Sequence, residues 1–560
     1  MTEEIPAATG SGPPSTPAQP SLGRSSGLMA VASLVSRITG FLRQIVLVTV
    51  LTVGVVTDSY TVSNTLPVIV YELLLGGVLT SVMVPLLVRA HTEDADGGEA
   101  FTRRLLTMAG LALLLATAAA MLAAPLLTRL YLGSDSTGTA DPQLATVLAY
   151  LLLPQIFFFG IGALLGAILN SRGAFGAFAW APVLNNLVVL GVLAVYALLP
   201  GEITLNPARM SDPKLLLLGL GTTLGIVVQA ASLLPAIRRL GFSYRPLFGW
   251  DRRLAQAGAL ALWAVVYVLI GQAGYIVTTR VAADSAVGAV TIYANAWLLL
   301  QVPYGVLGVS LLTALMPRMS RAAAQGRHAE VVADLSLGSR LLAVLLIPVS
   351  VLLTVFGPQV GTALFGLRSA NVDGAARLGT ALAVSAFGLL PYGITMLQAR
   401  VFYALTDSRT PTLIQLVTVA VKIPLLLLSA VLLPAPDVVL GLAAANSASF
   451  LVGAVAGQLL LRRRLGRIPT RAVLSTVGRA LVAALVAGLF AFGAVWLVGG
   501  LLVGAGPPAR AWLELMIAFL VLGPVSVLGM RLLRVREMNP FVSRLERLVD
   551  RRRPRRRGVR

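Results

Sequence analysis

The chain has no cysteine, which excludes disulfides and thiolate metal sites. His91 and His328 are its only histidines, too few for an imidazole metal cluster, and both sit in polar connections that read as solvent-facing loops. No metal and no cofactor is expected. Charge is scarce: 12% of the 560 residues are charged and 57% are hydrophobic, whereas a soluble domain is about a quarter charged. Acidic residues are the scarcest, 23 Asp and Glu against 44 Lys and Arg. The chain contains no Gly-x-x-x-x-Gly-Lys-Ser/Thr and no His-Glu-x-x-His, so nucleotide-driven pumping and zinc-dependent hydrolysis have no support. Work must then come from an ion gradient, the membrane potential or a substrate gradient, and the chain reads as a transporter rather than an enzyme.

What is present is repeated apolar blocks of about 20 residues, enough to cross a ~30 Å hydrocarbon core at ~1.5 Å per residue. The pattern predicts an all-α polytopic membrane protein of about fourteen helices. The spans lie near 28–50, 60–88, 104–128, 145–169, 180–199, 214–237, 254–279, 286–316, 341–357, 376–399, 411–433, 438–461, 480–503 and 511–533.

Basic residues test that count, because they collect in cytoplasmic loops. The even-numbered connections carry 21 Lys and Arg and the odd-numbered seven; twelve more stand between Arg531 and Arg560. The alternation holds along the chain and places both termini in the cytoplasm. The net charge of +21 is thus largely topology. These arginines are dispersed over loops with no soluble module to present them, which argues against nucleic acid and for membrane lipids. The tail Arg551–Arg560 reads as a patch for anionic headgroups, each cation contributing about 1 kcal/mol, or as a plain stop signal.

A faint repeat is visible. Ser81-Val82-Met83-Val84-Pro85 before Arg89 resembles Thr313-Ala314-Leu315-Met316-Pro317 before Arg318, and Ile168–Arg172 with Pro182 resembles Phe402–Leu405 with Arg409 and Pro411. Both pairs lie six spans apart, which predicts two six-helix lobes of like orientation around a central cavity, followed by two further helices. The divisions are a disordered cytoplasmic extension 1–27, an N-lobe 28–239, a C-lobe 240–461, two helices within 462–535 and a basic tail 536–560.

Ionisable groups inside a bilayer are costly and mark functional candidates. The first span carries Arg37 and Arg43, about 120° apart on a helix; they line a broad cavity, or Arg37 snorkels while Arg43 pairs with Glu72. Guanidinium forks suit diphosphates and carboxylates. Asp58 stands between the first two spans, at a cavity mouth or as the N-cap of the second helix. Tyr71 and Glu72 lie mid-span, in a cavity wall or a buried pair. Lys422, with Gln398 and Asn446 on neighbouring spans, is a substrate or coupling-ion counter-charge, or a structural pair. Pro67, Pro154, Pro303 and Pro391 mark bends that suit alternating access.

The motifs Ser36-Arg37-Ile38-Thr39-Gly40-Phe41-Leu42-Arg43, Thr57-Asp58-Ser59-Tyr60 and Leu66-Pro67 resemble the opening of the MurJ (MviN) family of lipid II flippases. So do Leu164–Phe175 with Ala181-Pro182-Val183-Leu184-Asn185-Asn186, Pro303–Gly308 through Pro317, and Phe402-Tyr403-Ala404 with Asp407, Thr410 and Pro411. The resemblance implies the multidrug/oligosaccharidyl-lipid/polysaccharide exporter fold, with a central cationic cavity and a lipid-tail groove formed by the last two helices. It also implies the substrate, an undecaprenyl-diphosphate-linked disaccharide peptide moved between leaflets of a bacterial cytoplasmic membrane. Arg37, Arg43 and Asp58 match family positions. The chain departs from the pattern where relatives place an arginine pair in the second helix, here Tyr71-Glu72-Leu73, and where their eighth-helix arginine aligns with Leu298. Two other readings are an ion-coupled exporter of small amphiphiles on the same fold, and a scaffold that has lost transport and recruits cell-wall synthesis or division proteins.

Overall fold

The computed structural model describes residues 22–73, 84–133, 141–201, 203, 212–249, 251–367, 372–500, 504 and 506–538. The expected terminal extension up to residue 21 and the arginine tail from 539 lie outside the described residues. Among the described residues there is no strand. A chain in hydrocarbon must satisfy its backbone groups internally, and helices do so within each segment.

The first half comprises α1 (Leu22–Leu51), α2 (Val55–Leu73), α3 (Val84–Glu93), α4 (Glu99–Leu122), α5 (Ala124–Leu132), α6 (Pro142–Leu152), α7 (Gln155–Ser171), α8 (Phe175–Leu198), α9 (Pro213–Ala231) and α10 (Leu234–Arg239). The second comprises α11 (Arg252–Ser285), α12 (Ala289–Pro303), a π-helical turn (Tyr304–Gly308), α13 (Val309–Ala324), α14 (His328–Phe365), α15 (Val372–Ser385), α16 (Leu389–Ala404), α17 (Arg409–Leu432) and α18 (Val438–Leu465). Two long helices follow, α19 (Thr470–Gly499) and α20 (Pro507–Leu532). Thirteen stretches of these helices are long and apolar enough to cross a membrane. The expected span 60–88 falls on α2, on residues outside the described set, and on α3.

Helix starts are written locally. The side chains of Asp141 and Asp212 each accept from two backbone N–H groups of the following turn, and the next residue is Pro142 or Pro213. An aspartate N-cap followed by proline at the first helical position satisfies one end and needs no donor at the other. The expected span 104–128 is broken at Ala123 into α4 and α5, and 145–169 at Leu153–Pro154 into α6 and α7. The largest difference is at the start of the expected span 341–357: α14 begins at His328, while the break in it at Phe356 (φ −115°, ψ 20°) falls where that span was expected to end. Polar residues did not end that helix because neighbours satisfy them: Asp334 pairs with Arg318, and Arg340 with Glu537.

Within the first half, α1 packs on α8, α8 on α9, and α2 on α6 and α7; in the second, α11 packs on α17, α17 on α18, and α14 on α15 and α16. These groups are the N-lobe and C-lobe, while α19 and α20 pack on each other and against α14. The weak repeat reappears in backbone geometry. After α7, Gly173 turns at φ 74° and the Ala174 N–H reaches back to Leu169 O at 2.8 Å. After α16, Thr406 turns at φ 57° and the Asp407 N–H reaches Phe402 O at 2.9 Å.

The α14 and α15 backbones pack directly against each other at glycines. A Cβ on Gly361 would lie 2.1 Å from Ala375 O, and one on Gly379 would lie 2.1 Å from Gly357 O. Small residues let membrane helices meet backbone to backbone, and here backbone offers no room to yield. Gly361→Val is expected to lower stability by about 1–3 kcal/mol or more through overpacking. Thermal unfolding in detergent checks this against Gly493→Ala on α19, where a Cβ meets nothing within 4 Å and no shift is expected.

Candidate functional site

Two faces of α1 do different work. Ser36, Thr39 and Gly40 turn to α8, where Asn186 Nδ2 donates to Ser36 O at 3.2 Å and to Thr39 Oγ1 at 3.0 Å. Gly40 admits that amide, since a Cβ there would stand 3.3 Å from Nδ2. Residues 37 and 44, two helical turns apart, turn to the other lobe. Arg37 Nη1 donates to Gly305 O at 2.6 Å, and Gln44 Nε2 donates to Asn295 Oδ1 at 2.9 Å.

The same antiparallel seam ends at Asp58, which has no exposed surface. Its Oδ2 accepts from Gly288 N at 2.8 Å, and its Oδ1 from Thr291 N at 2.8 Å and Thr291 Oγ1 at 2.5 Å. The carboxylate thus caps α12, a helix of the opposite lobe, and not its own helix, which was one of the two readings the sequence left open. A negative group at a helix N-terminus is favoured by the helix dipole as well as by the unpaired N–H groups. Gly288, at φ 82°, makes the approach possible: a Cβ there would lie 2.4 Å from Val53 Cγ1. As the α1–α2 position runs from 37 to 53, its partner runs from 305 back to 288.

Between α1 and α12 with its π-turn lies a cavity of about 540 Å³. Arg37 and Arg43 both line it, with Gln44 and Gln301, among apolar residues that include Leu34, Phe41, Leu298, Val302 and Val306. The two arginines share one space despite their angular separation because the cavity wraps around α1. Among the described residues, no carboxylate lies within 4 Å of either guanidinium. The Gly305 carbonyl that Arg37 takes belongs to the π-turn, a helix irregularity frequent at functional sites. Behind it, Tyr304 meets Tyr392 at 4.9 Å and Trp297 stacks on Phe450 at 5.4 Å.

The other candidates fall elsewhere. Tyr71 and Glu72 belong to the last turn of α2, but their side chains, and with them the expected Arg43–Glu72 pair, lie outside the described residues. Lys422 on α17 is half-buried; its Nζ donates to Tyr293 OH at 3.4 Å and stands 5.9 Å above that ring. Gln398 Nε2 donates to Ala454 O at 2.9 Å, joining α16 to α18, and Asn446 is buried on α18. The bonds made by Lys422 and Gln398 go to different helices, so these two do not form one polar centre. Sequence reasoning missed Gln44, Gly288, Thr291 and Asn295. A signal was there: Thr291 and Asn295 stand one turn apart, as Arg37 and Gln44 stand two.

Two lobes of corresponding helices, joined along a polar seam and enclosing a cavity with two arginines, define a two-lobed multi-pass membrane transporter. Residues 47–504 match the family described as lipid II flippase MurJ, and the chain belongs to that family. Asp58 and the seam on α12 lie within the matched range, while Arg37 and Arg43 precede it. The probable lipid II flippase MurJ of Vibrio cholerae serotype O1 is 25% identical over 398 residues, 69% of this chain and 73% of that protein. The lipid II flippase MurJ of Burkholderia cenocepacia is 27% identical over 388 residues, 68% and 72% of the two chains. Among solved structures, lipid II flippase MurJ in an inward closed conformation superposes with a TM-score of 0.70 at 17% identity, covering 90% of this chain and 99% of that one. An inward-facing multidrug resistance MATE transporter of the MOP superfamily gives 0.63 at 15% identity, covering 80% and 99%. The shared fold is therefore that of both transporter groups.

Removing the Asp58 carboxylate leaves buried N–H groups at the start of α12 without a partner, at about 1–3 kcal/mol each. Asp58→Ala is expected to loosen the seam, with Asp58→Asn intermediate. Because the chain has no cysteine, a single Thr57→Cys reporter measures this without background. Its thiol should label faster with a water-soluble maleimide in the Asp58→Ala background than with Asp58 intact, and equal rates would remove the carboxylate's role in closing the seam.

Proposed function

We propose that the protein translocates lipid II, the undecaprenyl-diphosphate-linked peptidoglycan precursor, between leaflets of the bacterial cytoplasmic membrane by alternating access. Family membership supplies the substrate class. The observation that carries the reading is the cavity between the lobes, in which Arg37 and Arg43 face a largely apolar space without a carboxylate partner among the described residues. Arg37 and Arg43 hold the diphosphate through charge-assisted hydrogen bonds, which are about twice as strong as neutral ones. A phosphate oxygen outcompetes the Gly305 carbonyl for Arg37, so substrate binding frees the π-turn at the bend of the eighth membrane helix. The undecaprenyl chain stays in lipid.

Asp58 acts at the opposite end as a gate rather than as a substrate ligand. With its carboxylate on α12 the lobes are shut at that end, and movement to the alternate state exchanges those three bonds for water. Loop charge supports an orientation with the Asp58 end outside and both termini in the cytoplasm. In that orientation the arginine cavity loads from the leaflet where the precursor is made. Lys422 is the fixed charge of the C-lobe interior and the candidate for coupling to an ion or to the potential, with Gln398 and Asn446 bracing the helices beside it. Tyr71 and Glu72 are assigned to the cavity wall from their place on α2. Cell-wall synthesis or division proteins are the partners this activity calls for.

Complementation of a flippase-depleted bacterium, read by lipid II reaching the outer leaflet, tests the proposal. Arg37→Ala with Arg43→Ala is expected to abolish translocation while leaving the protein in the membrane, and the paired lysine substitutions should restore part of it, since an ammonium keeps the charge but not the fork. Full translocation by the double alanine variant would sink the assignment. Leu298→Arg, on the opposite wall, should be tolerated and tighten substrate binding.

A further inference from the structure

A second cavity lies in the N-lobe between α4, α7 and α10 and shares no lining residue with the first. It encloses about 970 Å³, near the top of the ~300–1,000 Å³ range of ligand pockets. Its walls are apolar, with Leu106, Leu114, Phe157, Ile161 and Leu165 among them, and one cation, Arg238, stands on the lining.

The roof is the segment 241–249, which connects α10 of the N-lobe to α11 of the C-lobe. It is a fixed strap. Gly241, at φ 74°, turns the chain off α10, and Phe242 is buried beneath the Arg172 guanidinium at 5.5 Å. Arg103 Nε donates to Ser243 O at 3.0 Å, Tyr244 OH meets Thr107 Oγ1 at 3.2 Å, and Leu247 N donates to the same hydroxyl at 3.1 Å. Beyond it, Asp251 caps α11 and Arg253 forks onto Asp94 with two 3.1 Å bonds. The space below is therefore held open by bonded structure.

The cavity runs along α4 from Leu106 to Leu114, eight residues or about 12 Å, most of one leaflet of a ~30 Å hydrocarbon core. Its deep side opens sideways, where Leu111 and Leu114 are exposed, so the mouth meets acyl chains rather than water. At its shallow end Arg238, Arg239 and Arg245 are exposed, and no carboxylate of the described residues lies within 4 Å of them. An apolar slot most of a leaflet deep, headed by cations, is complementary to a lipid with a negative headgroup.

We propose that this is a binding site for an anionic glycerophospholipid, with one acyl chain between α4 and α7 and the phosphate on Arg238, in the field of Arg239 and Arg245. Because its roof is the connection between the lobes, an occupied site stiffens that connection and makes lobe movement sensitive to the charge of the surrounding membrane.

Native mass spectrometry of the delipidated full chain, titrated with phosphatidylglycerol or phosphatidylcholine, tests this. Expected is one retained phosphatidylglycerol, bound in preference to phosphatidylcholine. Arg238→Gln with Arg245→Gln should reduce that preference about thirtyfold, which is about 2 kcal/mol at 1.4 kcal/mol per factor of ten. Gly110→Phe, whose side chain enters the slot beside Ile161 (3.7 Å from a Cβ at this position), should remove the retained lipid. Arg37→Ala with Arg43→Ala should leave it in place. Equal retention of both lipids, retention unchanged by the Arg238 and Arg245 substitutions, or loss in the Arg37 and Arg43 variant would overturn the proposal. The exposed arginine substitutions carry the test if Gly110→Phe does not fold.

Discussion

A carboxylate with no access to solvent accepts three hydrogen bonds from the facing lobe, and the arrangement of the remaining interlobe contacts follows from it. Asp58 and the first turn of α12 each present groups that hydrocarbon cannot satisfy, so each stabilises the other only while the lobes are together. The alternative is hydration of both. Such a contact has two good states and a poor one between them, which suits a protein that closes at one end in order to open at the other. It also sets the position of α1, whose Gln44 and Arg37 continue the seam toward the cavity.

The same scarcity of water explains where the polar side chains sit. Along the spans they are spent on backbone, as when Thr39 donates to Val35 O, Ser339 to Leu335 O and Gln398 to Ala454 O. Ion pairs gather toward helix ends and in the connections, as in Arg253 with Asp94, Arg318 with Asp334 and Arg464 with Asp407. Against that background, two cavity arginines without a carboxylate among the described residues and a lysine bonded to a phenol are the exceptions. Exceptions to full satisfaction are where a charged cargo or coupling ion has something to bind.

Much of the fold was legible because hydrophobicity in a bilayer is a one-dimensional signal. Spans follow from block length and punctuation, and the six-helix offset, with a final pair outside it, from two short motif pairs. The reading failed where polarity was absorbed by a partner far along the chain. The ninth span was expected to begin at 341, yet Arg318 and Glu537 satisfy Asp334 and Arg340 and the helix already begins at His328. Of the site, Arg37 and Arg43 were readable as costly cations on one span, and the structure brings both to one cavity. Lys422 and Gln398 looked equally polar and equally central, but they bond to different helices.

The sequence by itself determined the membrane class, the approximate helix count, the two-lobed repeat and the residues whose charge requires an explanation, since each depends on composition and local spacing. Tertiary structure alone decided what those charges face. A helical wheel gives the angle between Arg37 and Arg43 but not the curvature of the space around them. Asp58 reads locally as the cap of α2 and in fact caps α12, because its partners lie 230 and 233 residues away. Cavity, seam and strap are all contacts between segments distant in the chain, and nothing in the spacing of neighbours encodes which distant helix a side chain will meet.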